Sequence, residues 1–392
     1  MENREYESFK ERLRENQTIY IYGAGVVAYG AKRAVQELFG IRCRAYLVSD
    51  CKKNPEQIER IPVKAAGYIW ENHISWEYIL IATPEEYHQE IIESLKSYGC
   101  RNYDILTSHL EYCLMGEYLF ETKGIRRIED FGRTKSESET DKKNSRTDEW
   151  NSRLGNEESV REKGKPDICV HMAVSHRDQK LKKGYLEPAW IKKVQAGAAL
   201  TEQKISLCRD DAGQNISAQN ALYGELTVTY WAWKNDLHDF MGLFHYRRIL
   251  NVEEKQLLRL LTKEADVILP LPFVCCPDAS GQYGRYLTET DQKILWEVLE
   301  EKRPEICEKA CKALKEPYLY NYNILIARKA VFTDYCEWIF PLLDEMTKRC
   351  GKIEMERLPR YIGRAGEVFT SVYFLVNERG WKIVHGEKCW RI

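Results

Sequence analysis

The 392-residue chain carries 59 Lys+Arg against 60 Asp+Glu, a formal net charge of -1, and is 44% hydrophobic and 30% charged. So even a balance excludes the broad basic field that draws proteins to nucleic acid, and the length suffices for two domains with separate cores. The 13 cysteines are scattered, mostly within apolar segments (Cys43, Cys169, Cys208, Cys336), which excludes a disulfide or zinc framework as the organising device and implies a cytoplasmic protein.

The opening stretch, MENREYESFKERLREN, is charged and amphipathic, and no run approaches the roughly 20 apolar residues that span a bilayer. Neither a cleavable signal nor a transmembrane helix is expected. TIYIYGAGVVAYGAKRAVQELFGIRCRAYLVSD follows, in which Ile19 to Tyr22 predict a strand running into Gly23, Gly25 and Ala28. A helical stretch leads to a second strand, Cys43 to Val48, that ends at Asp50. This is a βαβ unit with G-x-G-x-x-A: glycines let the backbone approach a phosphate at a helix N-terminus, and the later acid can meet a ribose hydroxyl. The same glycines could serve only a tight turn and close helix packing, and Asp50 could equally cap the next turn. Gly23, Gly25 and Asp50 are therefore candidate cofactor-binding residues, with the cofactor unknown. A strand at Tyr78 to Ala82 and a helix after it extend the pattern to a doubly wound fold. Residues 1–131 resemble the small Rossmann-like domains with a Y-G-A-G start that accompany sugar-modifying acyltransferases, methyltransferases and glycosyltransferases.

From Arg133 to Lys165 the only large apolar residues are Trp150, Leu154 and Val160, so residues 132–165 are expected to form a flexible linker that buries too little surface to offset its ordering entropy. Residues 166–392 form a second unit. PDICVHMAVSH predicts its opening strand, and RDDAGQN a loop before a helix expected to run from Ile216 to Lys234. Helical phasing puts Ala218, Leu222, Leu226, Thr229 and Trp233 on one face, with Glu225 at its edge, and Asn220, Tyr223, Thr227, Tyr230 and Lys234 on the other. A carboxylate at such a border is costly unless paired, so Glu225 is either the partner of a buried cation or a group held for chemistry. DFMGLFHYRRIL predicts a strand that exits through His245, Tyr246, Arg247 and Arg248, with the two arginines on opposite sides. Two solvated arginines at a strand exit are the plainer alternative. EADVILPLP predicts another strand, and NYNILIARKAVFTDYCEWIFPLL a strand and a helix. Arg364 falls in a glycine-flanked loop and Glu367 in the first turn of a last helix, where the dipole alone would favour it.

RDDAGQNISAQNALYGELTVTYWAWKN, GLFHYRR, NYNILIARKAVFTDYCEWIFPLL and GRAGEVFTSVYF together resemble a family first catalogued as a domain of unknown function, found in capsular and exopolysaccharide loci and including galactofuranosyltransferases. The family's asparagine-rich helix start falls on Asn215 and Asn220, its Glu-Leu-Thr on Glu225 to Thr227, its Trp-Lys-Asn on Trp233 to Asn235 and its His-Tyr-Arg-Arg on His245 to Arg248. Gly224 stands where the family leads one to expect cysteine, and Tyr322 where it leads one to expect methionine; both departures fall on positions expected to pack. The resemblance implies an α/β, GT-A-like glycosyltransferase domain, a nucleotide-diphosphate sugar as donor, and a glycan or lipid-linked saccharide as acceptor, with peripheral association at the inner face of a membrane. Such chemistry needs cations for the leaving diphosphate and, if it inverts, a base for the acceptor hydroxyl. Arg247, Arg248, His245, Tyr246, Asn215, Asn220, Lys234, Asn323 and Arg364 are the expected donor-binding residues. Asp211, Glu225 and Glu367 are the expected catalytic carboxylates, with Glu225 favoured because aromatic neighbours should raise its pKa. Asp210 and Asp211 are the compact candidates for a divalent metal, whose need stays open. Two other readings remain: an NAD-dependent oxidoreductase centred on Gly23 to Ala28, and a non-catalytic glycan-binding protein.

Overall fold

The computed structural model describes residues 2–130 and 167–391, apart from 182, 183 and 185. The expected linker, 132–165, lies outside the described residues.

Residues 2–130 build a six-stranded sheet. β1 (Thr18–Tyr22), β2 (Arg42–Val48), β4 (Ile61–Ala65), β5 (Ile79–Ile81) and β6 (Tyr103–Ile105) run parallel in the order β4-β2-β1-β5-β6, and β3 (Gln57–Ile58) adds antiparallel to β4. Strand alternation sends successive side chains to opposite faces. Ile19, Ile21 and Leu80 pack with Phe9 of α1 (Glu2–Arg14), Tyr29 of α2 (Val26–Phe39) and Leu114 of α5 (Ser108–Lys123). Tyr20, Tyr22 and Ile79 pack on the other side with Ile69 of α3 (Tyr68–Glu71) and Leu95 of α4 (His88–Ser97). β1 turns into α2 at Gly23, whose φ is +125° and whose added Cβ would lie 2.5 Å from the Ala82 carbonyl oxygen. Only glycine fits there.

Residues 167–391 build an eight-stranded mixed sheet in the order β11-β16-β12-β15-β10-β7-β8-β9. Its members are β7 (Ile168–Val174), β8 (Ile191–Gln195), β9 (Cys208–Arg209), β10 (Phe240–His245), β11 (Arg248–Asn251), β12 (Val267–Pro270), β15 (Leu325–Arg328) and β16 (Ile383–Trp390); β13 (Phe273–Val274) and β14 (Tyr318–Leu319) pair separately. β7 lies parallel to both β8 and β10, while β15 runs antiparallel to β10. Helices α6 (Asn220–Tyr223), α7 (Leu226–Asn235), α8 (Glu254–Leu261), α9 (Ser280–Tyr283), α10 (Glu289–Lys302) and α11 (Cys307–Lys315) precede α12 (Lys329–Gly351) and α13 (Tyr361–Val376), and Met241, Leu325 and Ala327 face the long core made with the last two. Phe240, Phe244 and Ile326 face the opposite core, with Leu257 and Leu260 of α8 (Glu254–Leu261).

The single helix expected over 216–234 is broken. A 3-10 turn (Ser217–Gln219) and a short α6 (Asn220–Tyr223) stop at Gly224, which has φ +58° and ψ -132°, and α7 (Leu226–Asn235) starts afresh. The two predicted stripes do not survive this break: Leu226, Thr227, Val228 and Thr229 are all buried, and Ala218 is exposed. The break also leaves Glu225 at the N-cap of α7 instead of on a helix face.

The two sheets share a boundary. Val274 and Tyr318 join the core of the first unit, the Tyr112 hydroxyl donates to the His385 carbonyl (3.0 Å), and His385 Nδ1 lies 2.8 Å from the Arg126 carbonyl. Burial lowers the His385 pKa to about 4, so its ring is neutral at physiological pH.

Candidate functional site

The HYRR motif is a reversal of the chain. His245 ends β10 and pairs antiparallel with Arg248 across a tight turn of Tyr246 and Arg247, so the two arginines do not leave an extended strand on opposite sides as expected. Arg247 turns away: its guanidinium carbon lies 5.8 Å from the Tyr246 ring and its carbonyl accepts from the Arg391 amide (2.9 Å). Tyr246 uses its hydroxyl to accept the Gln179 amide (3.3 Å).

Arg248 lies in the corner formed by two rings in edge-to-face contact, 4.2 Å from the centroid of Tyr322 and 4.4 Å from that of Trp390. Its Nε is buried and makes no hydrogen bond, and no carboxylate pairs with it among the described residues. Burial, with Arg247 adding to it, lowers its pKa. Lys388 stands beside the same rings, 4.6 Å from that of Phe273, and is likewise held down by burial. Tyr322 is thus a stacking platform, not the mere packing residue its position suggested. Its φ of +79° is rare for a bulky residue, and Asn323 follows at +50°.

That strained turn carries the carboxylates' partners. Asn323 Nδ2 donates to Glu225 Oε1 (2.9 Å) and to the Gly363 carbonyl (3.3 Å). His245 Nε2 lies 3.1 Å from the Tyr322 carbonyl, which can only accept, so Nε2 carries a proton; Glu225 Oε1 is 3.5 Å away. Arg360 Nη1 approaches the other Glu225 oxygen (3.8 Å). Burial works to raise the Glu225 pKa, but His245, by charge and hydrogen bond, and Asn323 outweigh it and hold it at about 2. The expectation of a raised Glu225 is therefore wrong, because aromatic surroundings were weighed without the histidine and the amide that long-range folding brings.

The raised acid is Glu367. Burial pushes it up to about 7, the nearby Glu225 charge helps, and Arg364, whose Nη1 donates to Oε1 (3.1 Å), pulls against them. α13 begins at Tyr361, so Arg364 is helical and Glu367 sits in the second turn; neither the loop nor the first-turn dipole reading holds. A pair of carboxylates whose environments split their pKa values about neutrality can divide acid-base labour: one stays ionised while the other exchanges a proton.

Asp211 is not in this group. Its oxygens accept from Arg209 Nη2 (2.6 Å) and Nε (3.0 Å), and that pairing lowers its pKa. Asp210 is fully buried and accepts from the Gly197 and Ala198 amides (2.9 and 3.0 Å) and from the Ser217 and Thr227 hydroxyls (2.5 and 2.6 Å). Four donors occupy its two oxygens, so the pair does not fit a divalent-ion site. Asn215 closes its own loop onto the Asp211 and Gly213 carbonyls, Asn220 binds the Gly224 carbonyl (2.7 Å), and Lys234 lies on the Trp233 ring. These three are structural. Among the described residues, one metal-like group converges, Cys169, His171 and Asp236, with His171 Nε2 2.7 Å from Asp236 Oδ2. It lies where β7 and β10 begin, the end of the sheet away from His245.

A cavity of about 280 Å³ opens beside Arg364 and Arg248, lined also by Tyr286, Asn321 and Tyr322 and, from the first unit, by Gly23, Gly25 and Thr83. Asp50 does not line it: the side chain is exposed and caps a 3-10 turn by accepting from the Lys52 amide (2.8 Å). A ribose contact for Asp50 is thereby unsupported.

Residues 171–378, over half of the chain, match the family described as a domain of unknown function (DUF4422). The chain belongs to this family. No curated protein matches it. Among solved structures it is similar to the apo structure of the WbbM bifunctional glycosyltransferase, with 24% identity and a TM-score of 0.48 over 57% of this chain and 45% of that one, so it spans less than half of the WbbM chain. Within the DUF4422 stretch lie Glu225, His245, Arg248, Asn323, Arg364 and Glu367; the glycine loop lies outside it. The stretch also holds residues that the sequence did not single out. Asp178, just past the carboxyl end of β7, is pushed up to about 6 by burial against the pull of the Ser175 amide and of His245, Arg247 and Arg360. Gln282, Arg285 and Tyr286 come from ASGQYGRY, and Arg360 sits at the N-cap of α13 with φ +60°. A charged residue following a strand's carboxyl end was the one signal available for Asp178. No helix among the described residues is long and apolar enough to cross a membrane.

Proposed function

We propose that the chain is a glycosyltransferase, with a Rossmann-like first unit and a GT-A-like catalytic unit. It moves a sugar, galactofuranose being one candidate, from a nucleotide-diphosphate donor to a glycan or lipid-linked acceptor in capsular or exopolysaccharide synthesis, at the cytoplasmic side of the membrane. The observation that carries the reading is the split carboxylate pair beside an arginine-lined cavity: Glu367 at about 7, Glu225 at about 2, and Arg364 bridging from Glu367 to the cavity wall.

Glu367 takes the proton of the acceptor hydroxyl as that oxygen bonds to the anomeric carbon. The glycosyl–phosphate C–O bond breaks with its electron pair leaving on the diphosphate, whose charge meets the guanidinium groups of Arg248 and Arg364. Glu225 stays ionised, anchors His245 and Asn323, and by its charge keeps Glu367 basic enough to accept a proton near neutral pH.

A coupled assay for nucleoside diphosphate release across a panel of nucleotide-sugars tests this. Glu367→Gln should lower turnover at least 10²-fold, the usual scale of general-base catalysis, with thermal midpoint kept or raised and donor affinity retained. Parental turnover in that variant would remove Glu367 from the chemistry, and release from no donor by the parent would refute the transferase reading.

A further inference from the structure

The cavity has walls from both units and contains no acid. Its lining includes Arg248, Arg285 and Arg364 but no Asp, Glu or His. On the opposite wall is the start of α2, a 14-residue helix whose N-cap, Gly25, provides no side-chain hydrogen bond and whose first turn carries no acidic residue. The first amide groups of that helix therefore add partial positive charge to the same space as the guanidinium groups. Glu367 offsets Arg364 from behind, but Arg248 meets no carboxylate among the described residues, and like charges gathered around a void are unfavourable unless an anion joins them.

Other groups at the cavity also want a partner. The Thr83 hydroxyl, from the first unit, and Arg248 Nε lack an acceptor, which phosphate oxygens supply, while Gln282, 5% exposed, leaves its Oε1 without a donor, a place for a hydroxyl of the molecule that carries them. Buried polar atoms without partners are uncommon, and these three come from opposite walls of one cavity. The glycines suit close approach: a Cβ added at Gly25 meets nothing within 4 Å, and Gly23 takes a φ closed to other residues.

We infer that this cavity is a diphosphate site shared between the two units, held by Arg248, Arg285 and Arg364 on one side and by the amide groups at the start of α2 on the other. The inference rests on the proposed transferase reading for what the diphosphate belongs to: the nucleotide of the donor, or the lipid carrier of the acceptor. It gives the glycine loop a role in the catalytic unit's own site, with no separate dinucleotide cofactor.

The test is calorimetric titration of the full chain with inorganic pyrophosphate, uridine diphosphate and farnesyl diphosphate. Pyrophosphate should bind the parent. Gly25→Asp places a carboxylate at an extended N-cap position (φ -95°, ψ -170°), where Asp is a favoured cap, so thermal stability should be kept or raised while affinity falls at least tenfold. Arg285→Glu, at an exposed position in the other unit, should weaken binding to a similar degree. Tighter binding of uridine diphosphate than of pyrophosphate would assign the site to the donor, and tighter binding of farnesyl diphosphate to the acceptor. Loss with Arg285→Glu but parental affinity in Gly25→Asp would remove the first unit from the site and overturn the inference, leaving the transferase reading to the Glu367 experiment. Failure of all three compounds to bind the parent at millimolar concentration would overturn it as well, whatever the donor panel shows.

Discussion

Replacing Arg248 with Met separates a residue kept for a ligand from one kept for the fold. The side chain lies against Tyr322 and Trp390 at 4.2 and 4.4 Å, has a buried Nε without an acceptor, and meets no carboxylate among the described residues. Methionine has a similar reach and makes its own favourable ring contacts. Removing the unsatisfied donor should return about 1–3 kcal/mol, and losing two cation–ring contacts should cost about 0.5–2 kcal/mol each. These nearly cancel, so stability should change by no more than about 1 kcal/mol, or a shift within roughly 4 °C in thermal midpoint. A structural arginine would behave otherwise: leaving its ion-pair partner buried costs about 3–5 kcal/mol, a drop of at least ~6 °C. Ligand affinity should respond in the opposite sense. Each charge-assisted bond to a phosphate oxygen is worth about 1.5–3 kcal/mol, so losing a two-pronged contact should weaken diphosphate binding by ~10² to ~10⁴. The measurement pairs differential scanning fluorimetry with titration of the nucleoside diphosphate that best stabilises the parent. A variant that melts far below the parent, or one that binds as well as it, would refute the assignment of Arg248 to the ligand.

Gly224→Ala should destabilise by about 1–3 kcal/mol, read from the urea midpoint, because φ +58° with ψ -132° is strained for any other residue and the new Cβ would approach Arg360 Cδ to 3.0 Å. It should also lower activity, since Glu225 is set by that break. Asp210→Asn should lower the thermal midpoint, because an amide cannot accept from all four of its donors, whereas a metal ligand would instead lose divalent-ion binding with the fold intact. Glu367 should make stability depend on pH in a stated direction. Its folded value of about 7 lies above the ordinary 4.5, so the native state binds more protons than the unfolded chain between those values, and stability falls as pH rises through that window. By pH 8 the loss is on the order of 3 kcal/mol, and Glu367→Gln should abolish that part of the slope in denaturation curves taken from pH 4 to 8.

The elements with strong local signals were legible from the residues alone. Ile19 to Tyr22 and Cys43 to Val48 became β1 and β2 within one residue at their starts, because apolar runs bounded by glycine or a polar residue have few alternatives. The 216–234 segment was misread because Gly224 looks like a tolerated helix interior residue. Its backbone takes φ +58° with ψ -132°, which glycine alone adopts readily, and the space a Cβ would need is bounded by Arg360, a side chain far away in sequence. The same gap explains HYRR. Nothing in four polar residues distinguishes an extended exit from a two-residue reversal, and the reversal is fixed by β16 pairing with β11 on the far side.

The carboxylates were legible as candidates but not in their roles, and the reason is physical. A side chain's pKa reflects everything within a few ångströms, and for Glu225 those neighbours are His245, Asn323 and Arg360, drawn from three other elements. Burial alone would have raised both acids; the histidine and amide reach only Glu225, and its resulting charge then raises Glu367 further. The two values are therefore coupled. Removing the Glu225 charge with Glu225→Gln should let Glu367 titrate at a lower pH, moving the acid limb of the activity profile downward wherever turnover survives. An unchanged limb in that variant would mean that burial alone sets Glu367, and that the pair does not act as a pair.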